Sequence, residues 1–380
     1  MSSGATRVGI NLLWLVPGEV GGSEEYTVRL LTALADRGTG DVEVILYVNR
    51  SFVDAHGELS RRFTTRVAPT SGSSRVLRVL AESTWLAIRA RSDRCRIVHH
   101  AGGTMPAVRT VPGIMTIHDL QPLSNPERFG IIKRAYIRWS VPQSLRRARK
   151  VLCLSTFVAD DVRARADVES DRIAVVACGV ADPGAAFDSD RATRLLDSLG
   201  LRDRPFVLYP AITYPHKNHV TLVAAFARVI AVDHEARLVL TGGRGPSEDL
   251  VESTIEAYGL NATVVRTGRI PESDLDLLYR SASLMAFPSL YEGFGVPVLE
   301  AMARGCPVVA GDAGALPEVV GDAGILIDPI DVAGWAEVIT SLIADQAQCA
   351  ALARKGFDRA RLFTWPASAE ALLSVYRETT

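Results

Sequence analysis

The sequence predicts an α/β protein with two doubly wound parallel sheets, one in each half of the chain. Short apolar segments of strand length alternate with helical patterns along both halves, which is typical of βα units in parallel sheets. The length of 380 residues suits two domains, because single hydrophobic cores stop growing at about 250 to 300 residues. Two domains imply a cleft in which a ligand can bind.

The predicted strands follow one another with a regular spacing. In the first half they lie at 8–15, 42–48, 97–100, 114–118 and 151–154, and in the second half at 206–209, 238–241, 264–267, 284–287, 307–310 and 325–327. Residues 179–204 mix Gly, Pro, Asp and Arg around one helical pattern at 191–199, which predicts a linker. We place the boundary near residue 195, which gives domains 1–195 and 196–364, followed by a last helix at 365–380.

Composition excludes several classes of protein. The hydrophobic share of 48% and charged share of 22% are those of a soluble globular protein, with no apolar run of membrane-spanning length. A net charge of -1 gives no reason to expect nucleic acid as a partner. The five cysteines are widely separated and the histidines show no ligand spacing, so we expect no disulfide and no metal site. A cytoplasmic protein without a signal peptide is expected.

Residues 291–300, with the sequence YEGFGVPVLE, predict a binding site for a diphosphate and a ribose. The glycines allow a tight turn close to a ligand, and the proline suits the first helical position. The backbone amides then form an anion site, which comprises Gly293, Phe294, Gly295 and Val296. Glu300 can bind vicinal sugar hydroxyls, while Glu292 can bind a second ring across the phosphates. The alternative is that Glu292 is solvated and Glu300 only complements the helix dipole.

The spacing of Glu292 and Glu300 resembles the E-x7-E motif of the retaining glycosyltransferases of family 4, the glycogen-synthase-like group. The flanking sequences PSL at 288–290, EAMARGCPVV at 300–309 and LPEVVGDAG at 316–324 also resemble this family. The resemblance covers nearly the whole chain. It implies the GT-B fold, with two doubly wound domains facing across a cleft and the last helix crossing back to the first domain. It also implies that Glu292 lies beside the donor sugar and that Glu300 binds the nucleotide ribose.

Lys217 follows the predicted strand 206–209, within the sequence YPHKNH at 214–219. Its position resembles that of the family lysine that neutralises the donor diphosphate, where positive charge stabilises the leaving group. The alternative is a solvated lysine at the start of a helix. The family usually has an arginine five residues earlier, where this chain has Ile212. Arg244, after the predicted strand 238–241, is a candidate to supply that charge.

Two sites in the first half also resemble the family. Gly21 and Gly22 follow the first strand, where the family places a glycine loop near the diphosphate or acceptor; the alternative is a flexible turn with Ser23 as the N-cap. The chain has no G-x-G-x-x-G there, which argues against a dinucleotide-binding dehydrogenase. His118 ends the strand 114–118, where the family histidine touches the donor sugar or phosphate. Asp119 can orient it, and a purely structural His-Asp pair is equally open.

Residues 131–150 form the one basic concentration of the sequence and contain no acidic residue. Two interpretations stay open, namely a solvated helical face that covers the sheet and peripheral contact with anionic lipid. The members of this basic segment are Lys133, Arg134, Arg138, Arg146, Arg147, Arg149 and Lys150, with Tyr136 and Trp139 among them.

The predicted function is retaining transfer of a sugar from a nucleoside-diphosphate donor to a hydroxyl of a saccharide, lipid-linked or small-molecule acceptor in glycan biosynthesis. No metal or other cofactor is expected. The sequence PHKNH at 215–219 resembles branches that include mannosyltransferases of surface polysaccharides, so GDP-mannose is favoured over UDP-sugars. In this scheme Lys217 and Glu292 act on the donor, and His118 of the first domain completes the pocket on closure.

Three other functions remain as alternatives. A glycoside hydrolase would use Glu292 and Glu300 as its acid and its nucleophile or base, at a separation of about 5 to 9.5 Å. A nucleotide-sugar epimerase would share the GT-B architecture. A non-catalytic protein would bind the nucleotide sugar without turnover.

Overall fold

The computed structural model describes residues 5–19, 21–121, 131–166, 168–181 and 187–380, without the side chains of 131–133. The chain divides into two compact units. The first unit comprises Met1–Gly179 together with Trp365–Thr380, and the second comprises Val180–Thr364. Each unit contains a parallel sheet with helices packed against it.

The sheet of the first unit has the strand order β3-β2-β1-β4-β5-β6-β7 in the described residues, and all neighbours are parallel. The five predicted strands are present. The other two, β3 and β7, lie at the sheet edges and are partly exposed, so they lack the apolar run that marks a central strand. The strands are β1 Thr6–Leu12, β2 Val42–Val48, β3 Thr64–Val67, β4 Ile97–His100, β5 Gly113–Ile117, β6 Val151–Cys153 and β7 Ile173–Val175.

Helices connect these parallel strands, as crossover connections require. Those of the first unit, before the second begins, are α1 Gly22–Arg37, α2 Arg50–Ala55, α3 Gly57–Arg61, α4 Arg75–Ser83, α5 Trp85–Ser92, α6 Ile131–Arg147 and α7 Thr156–Ala166. The core lies between sheet and helices; for example, Met115 and Val151 pack with Val158 and Val162.

The sheet of the second unit has the order β10-β9-β8-β11-β12-β13 in the described residues, again parallel throughout. All six strands coincide with predicted segments. They are β8 Phe206–Pro210, β9 Arg237–Thr241, β10 Val264–Gly268, β11 Leu284–Phe287, β12 Val308–Gly311 and β13 Ile325–Ile327. The helices are α8 Ser189–Ser198, α9 His219–Ile230, α10 Glu248–Ala257, α11 Glu272–Ser281, α12 Val296–Ala303, α13 Leu316–Val320, α14 Val332–Ala344 and α15 Gln346–Ala360.

The domain division lies earlier in the chain than the boundary near residue 195. Helix α8 contains residue 195 and packs against α11 of the second unit. Arg191 of α8 also donates to Asp274 of α11 at 2.5 Å and to Ser273 at 2.6 Å. These contacts join α8 to the second unit, so the division falls at Gly179 and Val180.

The last helix, α16 (Trp365–Thr379), belongs to the first unit. The helix carries Tyr376, whose hydroxyl lies 2.8 Å from Nδ1 of His99 in β4. Arg377 pairs with Asp41 at 3.0 Å, and Ser368 donates to the carbonyl of Ala177. The C-terminal segment therefore completes the first unit after the chain has formed the second.

Both sheets reverse their strand order at one point, between β1 and β4 in the first and between β8 and β11 in the second. Ligands of open α/β sheets bind beyond the carboxyl ends of strands at such a switch point. The sequence-predicted site residues all follow carboxyl ends of strands. The predicted fold class, two doubly wound parallel-sheet units, is confirmed.

Candidate functional site

Lys217 and Glu292 form an ion pair at the switch point of the second sheet. Lys217 follows β8, Glu292 follows β11, and Lys217 Nζ lies 2.6 Å from Glu292 Oε1. The side chains are only 17% and 12% exposed, so water screens their attraction less than that of a surface pair. The ammonium also lies over the ring of Phe287, 5.2 Å from its centroid. The two predicted site residues are therefore brought together by adjacent strands.

A short turn fixes the position of Lys217. Pro215–Lys217 forms one turn of 3₁₀ helix, and Asn218 follows in the left-handed conformation with φ 55°, which asparagine tolerates better than most residues. The Asn218 amide donates to the carbonyls of Pro288 at 3.2 Å and Pro329 at 2.7 Å. These bonds attach the lysine turn to the loop that carries Glu292.

The backbone of Glu292 packs closely against Gly314. A Cβ at Gly314 would lie 2.7 Å from both the amide nitrogen and the carbonyl oxygen of Glu292, and Gly314 has φ 62°. Ala315 donates its amide to the Glu292 carbonyl at 3.0 Å. Only glycine fits this contact, so the loop after β12 holds Glu292 in place.

The predicted anion site lies at the start of α12. Gly295 is the N-cap with φ 106°, and a Cβ there would lie 2.7 Å from Leu316 Cδ2. The helix begins at Val296, so Pro297 is its second residue and not its first. Phe294 is buried against Phe363, with ring centroids 5.7 Å apart. The predicted segment therefore forms a rigid helix start, and its binding of a diphosphate stays a prediction.

Glu300 is positioned by residues that the sequence analysis missed. The hydroxyl of Tyr279 donates to Glu300 Oε2 at 3.2 Å, and burial raises the pKa of Tyr279 well above its usual value, so this donor stays protonated. Arg304 donates to the Glu300 carbonyl at 3.1 Å and pairs with Asp276 at 2.6 Å. Arg304 follows Glu300 by four residues, a spacing at which helical residues are neighbours, so the sequence could have indicated this residue. Tyr279 lies on another helix, so no local pattern indicates it.

Arg244, the candidate substitute cation, is 67% exposed and pairs with acids of α10. Its nearest partners are Glu252 at 3.0 Å and Glu248 at 3.5 Å. Burial raises the pKa of Glu248, but hydrogen bonds from Thr213 and Arg266 outweigh it and leave the pKa below its usual value. A role for Arg244 near the donor stays a prediction.

The first unit contains a cavity of about 1000 Å³ beyond its own sheet, and His118 lines it. Its Nε2 donates to the carbonyl of Ala101 at 3.0 Å, and the ring lies against Tyr26 and Trp14. Burial lowers the pKa of His118 to about 4, so the ring is neutral near pH 7 and does not titrate there. A neutral ring can still accept a hydrogen bond at Nδ1.

Gly21 and Gly22 stand at the start of α1, where Glu24 binds nearby backbone and side-chain groups. Gly21 is the N-cap of α1 with φ 62°, and no side chain caps this helix, so Ser23 is not the N-cap. Glu24 accepts from the amide of Gly18 at 2.8 Å and lies 2.9 Å from His56 Nε2. The contact of this loop with a ligand stays a prediction.

Helix α6 carries most of the predicted basic segment. Trp139 is 58% exposed and Tyr136 is 38% exposed. Exposed arginines surround them, namely Arg134, Arg138, Arg146, Arg147 and Arg149. Lys133 lies outside the described side chains, while Lys150 donates to the carbonyl of Asp171 and pairs with Glu378.

No group of three or more His, Cys, Asp or Glu side chains in the described ranges is placed to hold a metal ion. None of the described helices combines the length and the apolar character that crossing a bilayer requires.

Two family descriptions match the chain. Residues 194–359 match "Glycosyl transferases group 1", and residues 20–182 match "Glycosyltransferase Family 4". O-antigen chain mannosyltransferase B of Escherichia coli is 30% identical over 283 residues, which covers 74% of each chain. O-antigen chain mannosyltransferase RfbU of Salmonella typhimurium is 24% identical over 84% of this chain and 87% of its own.

Among solved structures, HepE of Anabaena in complex with UDP and glucose superposes with a TM-score of 0.76 at 20% identity. The match covers 98% of this chain and 100% of the other, and it supports the fold alone. The sequence matches extend over both units and include the loops that carry Lys217, Glu292 and Glu300. The chain therefore belongs to the family 4 glycosyltransferases, the glycosyl transferases group 1.

Proposed function

We propose that this glycosyltransferase moves mannose from a nucleoside-diphosphate donor, with GDP favoured, to a saccharide hydroxyl in polysaccharide biosynthesis. Configuration is retained and no metal takes part. The observation that carries the proposal is the Lys217 and Glu292 pair, 2.6 Å apart, at the switch point of the second sheet. The two relatives that act as O-antigen chain mannosyltransferases support the sugar and the pathway class.

Lys217 provides the main electrostatic contribution to this chemistry. As the bond from the anomeric carbon to the diphosphate oxygen breaks, negative charge develops on the leaving group, and a fixed ammonium in a partly buried site stabilises it. The backbone amides near Gly295 and the start of α12 add further stabilisation. The acceptor oxygen forms the new bond on the same face, and its proton passes to the departing diphosphate.

The two carboxylates have different roles in the proposal. Glu292 binds hydroxyls of the donor sugar, and its pairing with Lys217 keeps both groups in one orientation. Glu300, held by Tyr279, accepts hydrogen bonds from the ribose hydroxyls. His118, neutral near pH 7, accepts a hydrogen bond in the cavity of the first unit, which binds the acceptor.

Thermal-shift measurements with GDP, UDP, dTDP and ADP test the donor class, because a ligand stabilises the folded state more when it binds more tightly. We expect GDP to give the largest shift. Glu300→Ala removes the ribose contacts and reduces that shift, whereas Glu337→Ala, at an exposed position of α14, leaves it unchanged. Equal shifts for Glu300→Ala and the parent chain would contradict the assignment.

The stereochemistry and the metal requirement are tested with the active enzyme. NMR of the first product formed from an α-linked donor should show an α-linkage, since the reaction retains configuration. Activity should survive EDTA. A β-linked first product, or activity restored only by a divalent cation, would contradict these two parts of the proposal.

We also propose peripheral contact between α6 and anionic lipid on the cytoplasmic face of a membrane. Its exposed Trp139 and Tyr136 among arginines have the composition of an interfacial helix. Flotation with vesicles that contain phosphatidylglycerol should recover the protein, and Trp139→Ser with Arg138→Ser should reduce this recovery. No recovery of the parent chain would remove this part of the proposal.

A further inference from the structure

One wall of the cavity of the first unit carries two positively charged side chains. Helix α4 contributes Arg75 and Arg78 to this wall, and the preceding Gly72 and Ser73 also line it. Residues three apart on a helix are neighbours on its surface, so the two guanidinium groups project from the same side of α4. The helix start, with its positive dipole end, lies at the same wall.

These two arginines differ from those arginines of the described residues that pair with an acid. Neither Arg75 nor Arg78 forms an ion pair in the described part of the chain, whereas Arg66, Arg191 and Arg304 each pair with an aspartate. The Nε–H group of Arg78 is buried and has no hydrogen-bond partner among the residues that the structure describes. A buried donor without a partner is costly, which indicates that a ligand supplies the missing acceptor.

Another residue of the cavity lining provides a second unsatisfied donor. Trp14 lines the cavity, and its indole Nε1 is also buried without a hydrogen-bond partner among the described residues. The indole packs over Gly102, where a Cβ would lie 2.4 Å from Trp14 Cγ, so glycine is required for this packing. Gly102 and Gly103 follow β4 at the switch point of the sheet.

Two acids and a histidine of the cavity lining suit a different kind of ligand group. Glu19 and Asp119 line the cavity as acids, and His118 presents a neutral ring. Carboxylates accept hydrogen bonds from sugar hydroxyls but repel phosphate. The cavity therefore separates an anion-binding wall on α4 from a hydroxyl-binding wall formed by the loops after β1 and β5.

We propose that this cavity binds an acceptor that carries a phosphate group, with Arg75 and Arg78 as its phosphate ligands and the acids as ligands of its hydroxyls. The inference rests on the proposed function, because it specifies the acceptor of that reaction. Arginine suits the role, since its planar guanidinium donates two parallel hydrogen bonds to phosphate. Glu82, one turn beyond Arg78, is buried and accepts from Asn11 at 3.3 Å. Its carboxylate attracts Arg78 electrostatically but forms no ion pair with it in the described residues, so the guanidinium can still bind a phosphate.

Inorganic phosphate is the probe for the first experiment, with the donor site saturated by GDP or whichever nucleoside diphosphate stabilises the chain most. The melting temperature is compared for Arg78→Gln and Arg89→Gln, since Arg89 is exposed on α5 and does not line the cavity. Phosphate stabilises proteins generally by exclusion from their surface. The informative quantity is therefore the difference between the phosphate-induced shifts of the two variants, which have equal charge. We expect Arg89→Gln to keep the full phosphate response and Arg78→Gln to lose most of it.

Arg75→Gln gives a second variant in case Arg78→Gln alters the packing of α4, and it should also lose the response. Identical phosphate responses in all three variants would overturn the inference. A parent chain that no nucleoside diphosphate stabilises would instead contradict the proposed function. The two failures are therefore distinguishable.

The phosphate can belong to a soluble sugar phosphate or to a lipid, and a second experiment separates these sources. Flotation with phosphatidic acid vesicles is compared between Arg78→Gln and Arg89→Gln, in the absence and presence of inorganic phosphate. Flotation that is sensitive to inorganic phosphate and lost in Arg78→Gln supports a lipid phosphate. Flotation that neither inorganic phosphate nor Arg78→Gln changes, together with a phosphate response of the melting temperature, supports a soluble one. The inference is overturned if Arg78→Gln reduces flotation while the melting temperature shows no response to inorganic phosphate, because the arginines then act only at the membrane surface.

Discussion

The two units share a doubly wound parallel sheet but differ in how charged and titratable side chains are satisfied at its carboxyl edge. In the second unit, Lys217 pairs with Glu292, and Glu300 accepts from Tyr279. In the first unit, Arg75 and Arg78 line the cavity and form no ion pair in the described residues, and the histidine of the cavity is held neutral by burial. One architecture thus supports a pre-arranged polar site in one unit and an open cavity with unsatisfied donors in the other.

This difference indicates which unit depends more on its ligand. Preorganised charges stabilise a developing charge without further rearrangement, which suits the site where a bond breaks. Unsatisfied buried donors destabilise the free protein until a ligand supplies acceptors. We therefore expect the first unit to gain more order from its ligand than the second, and four further tests examine the contrast.

Acid should unfold the first unit before the second. Burial lowers the pKa of His99 and His100 to about 3 and of His118 to about 4, all in the first unit, whereas the second has His219 at about 4. The unfolded chain binds these protons and the folded chain does not, so stability falls as the pH drops from the ordinary value of 6.5 toward 4. Each histidine contributes about 1.4 kcal/mol per pH unit.

Hydrogen exchange of each unit between pH 7 and 4 measures this effect. As the pH falls, the strands of the first unit should lose protection at a higher pH than the strands of the second unit. His118→Gln should make this loss less steep. The exposed His234 provides the control, because His234→Gln should leave the profile unchanged. Simultaneous loss of protection in both units would remove the contrast.

Lys217→Ala should reduce kcat by about 10² to 10³-fold, as expected when one group that stabilises developing charge is removed. It also leaves Glu292 unpaired in a mostly buried position, so the melting temperature is measured in parallel. Lys355→Ala is the matched control, since Lys355 is 57% exposed on the same unit. Unchanged transfer by Lys217→Ala would show that the preorganised pair is not part of the chemistry.

Gly314→Ala should lower the free energy of unfolding by more than Gly305→Ala. Both glycines have positive φ, at 62° and 70°, but a Cβ meets the Glu292 backbone only at Gly314 and open space at Gly305. Placing alanine in this left-handed conformation costs about 1 to 2 kcal/mol at either position. The steric clash adds to this cost at Gly314 alone. Gly314→Ala should also weaken donor binding because it displaces Glu292. Equal denaturation midpoints and equal nucleotide affinity would contradict this account.

Tyr279→Phe should have the smallest effect of the four. It removes one hydrogen bond to Glu300, worth about 1 kcal/mol, or roughly fivefold in donor KM, while kcat stays nearly constant. The preference for a ribonucleotide over its 2′,3′-dideoxy analogue should shrink by a similar factor. Tyr258→Phe, at a tyrosine that is 52% exposed, is the control. A fall in kcat with unchanged KM would assign Tyr279 a different role.

Local patterns in the sequence were sufficient for much of the fold and for the loops that bear Lys217 and Glu292. All six strands of the second sheet coincide with predicted apolar runs, because central parallel strands are buried on both faces. Lys217 and Glu292 were found separately, each from a loop at a strand end. Edge strands β3 and β7 were missed because half-exposed strands lack such runs, and the domain boundary moved because α8 packs with the second unit.

The sequence by itself determined the two βα repeats, the loops that bear the site residues and the family to which they belong, since these depend on spacing along the chain. The tertiary structure alone decided the 2.6 Å pairing of Lys217 with Glu292, the support of Glu300 by Tyr279 and the exposure of Arg75 and Arg78 to a cavity. The physical reason is that pairing, burial and protonation depend on which side chains meet after folding. Those partners come from strands and helices far apart in the chain.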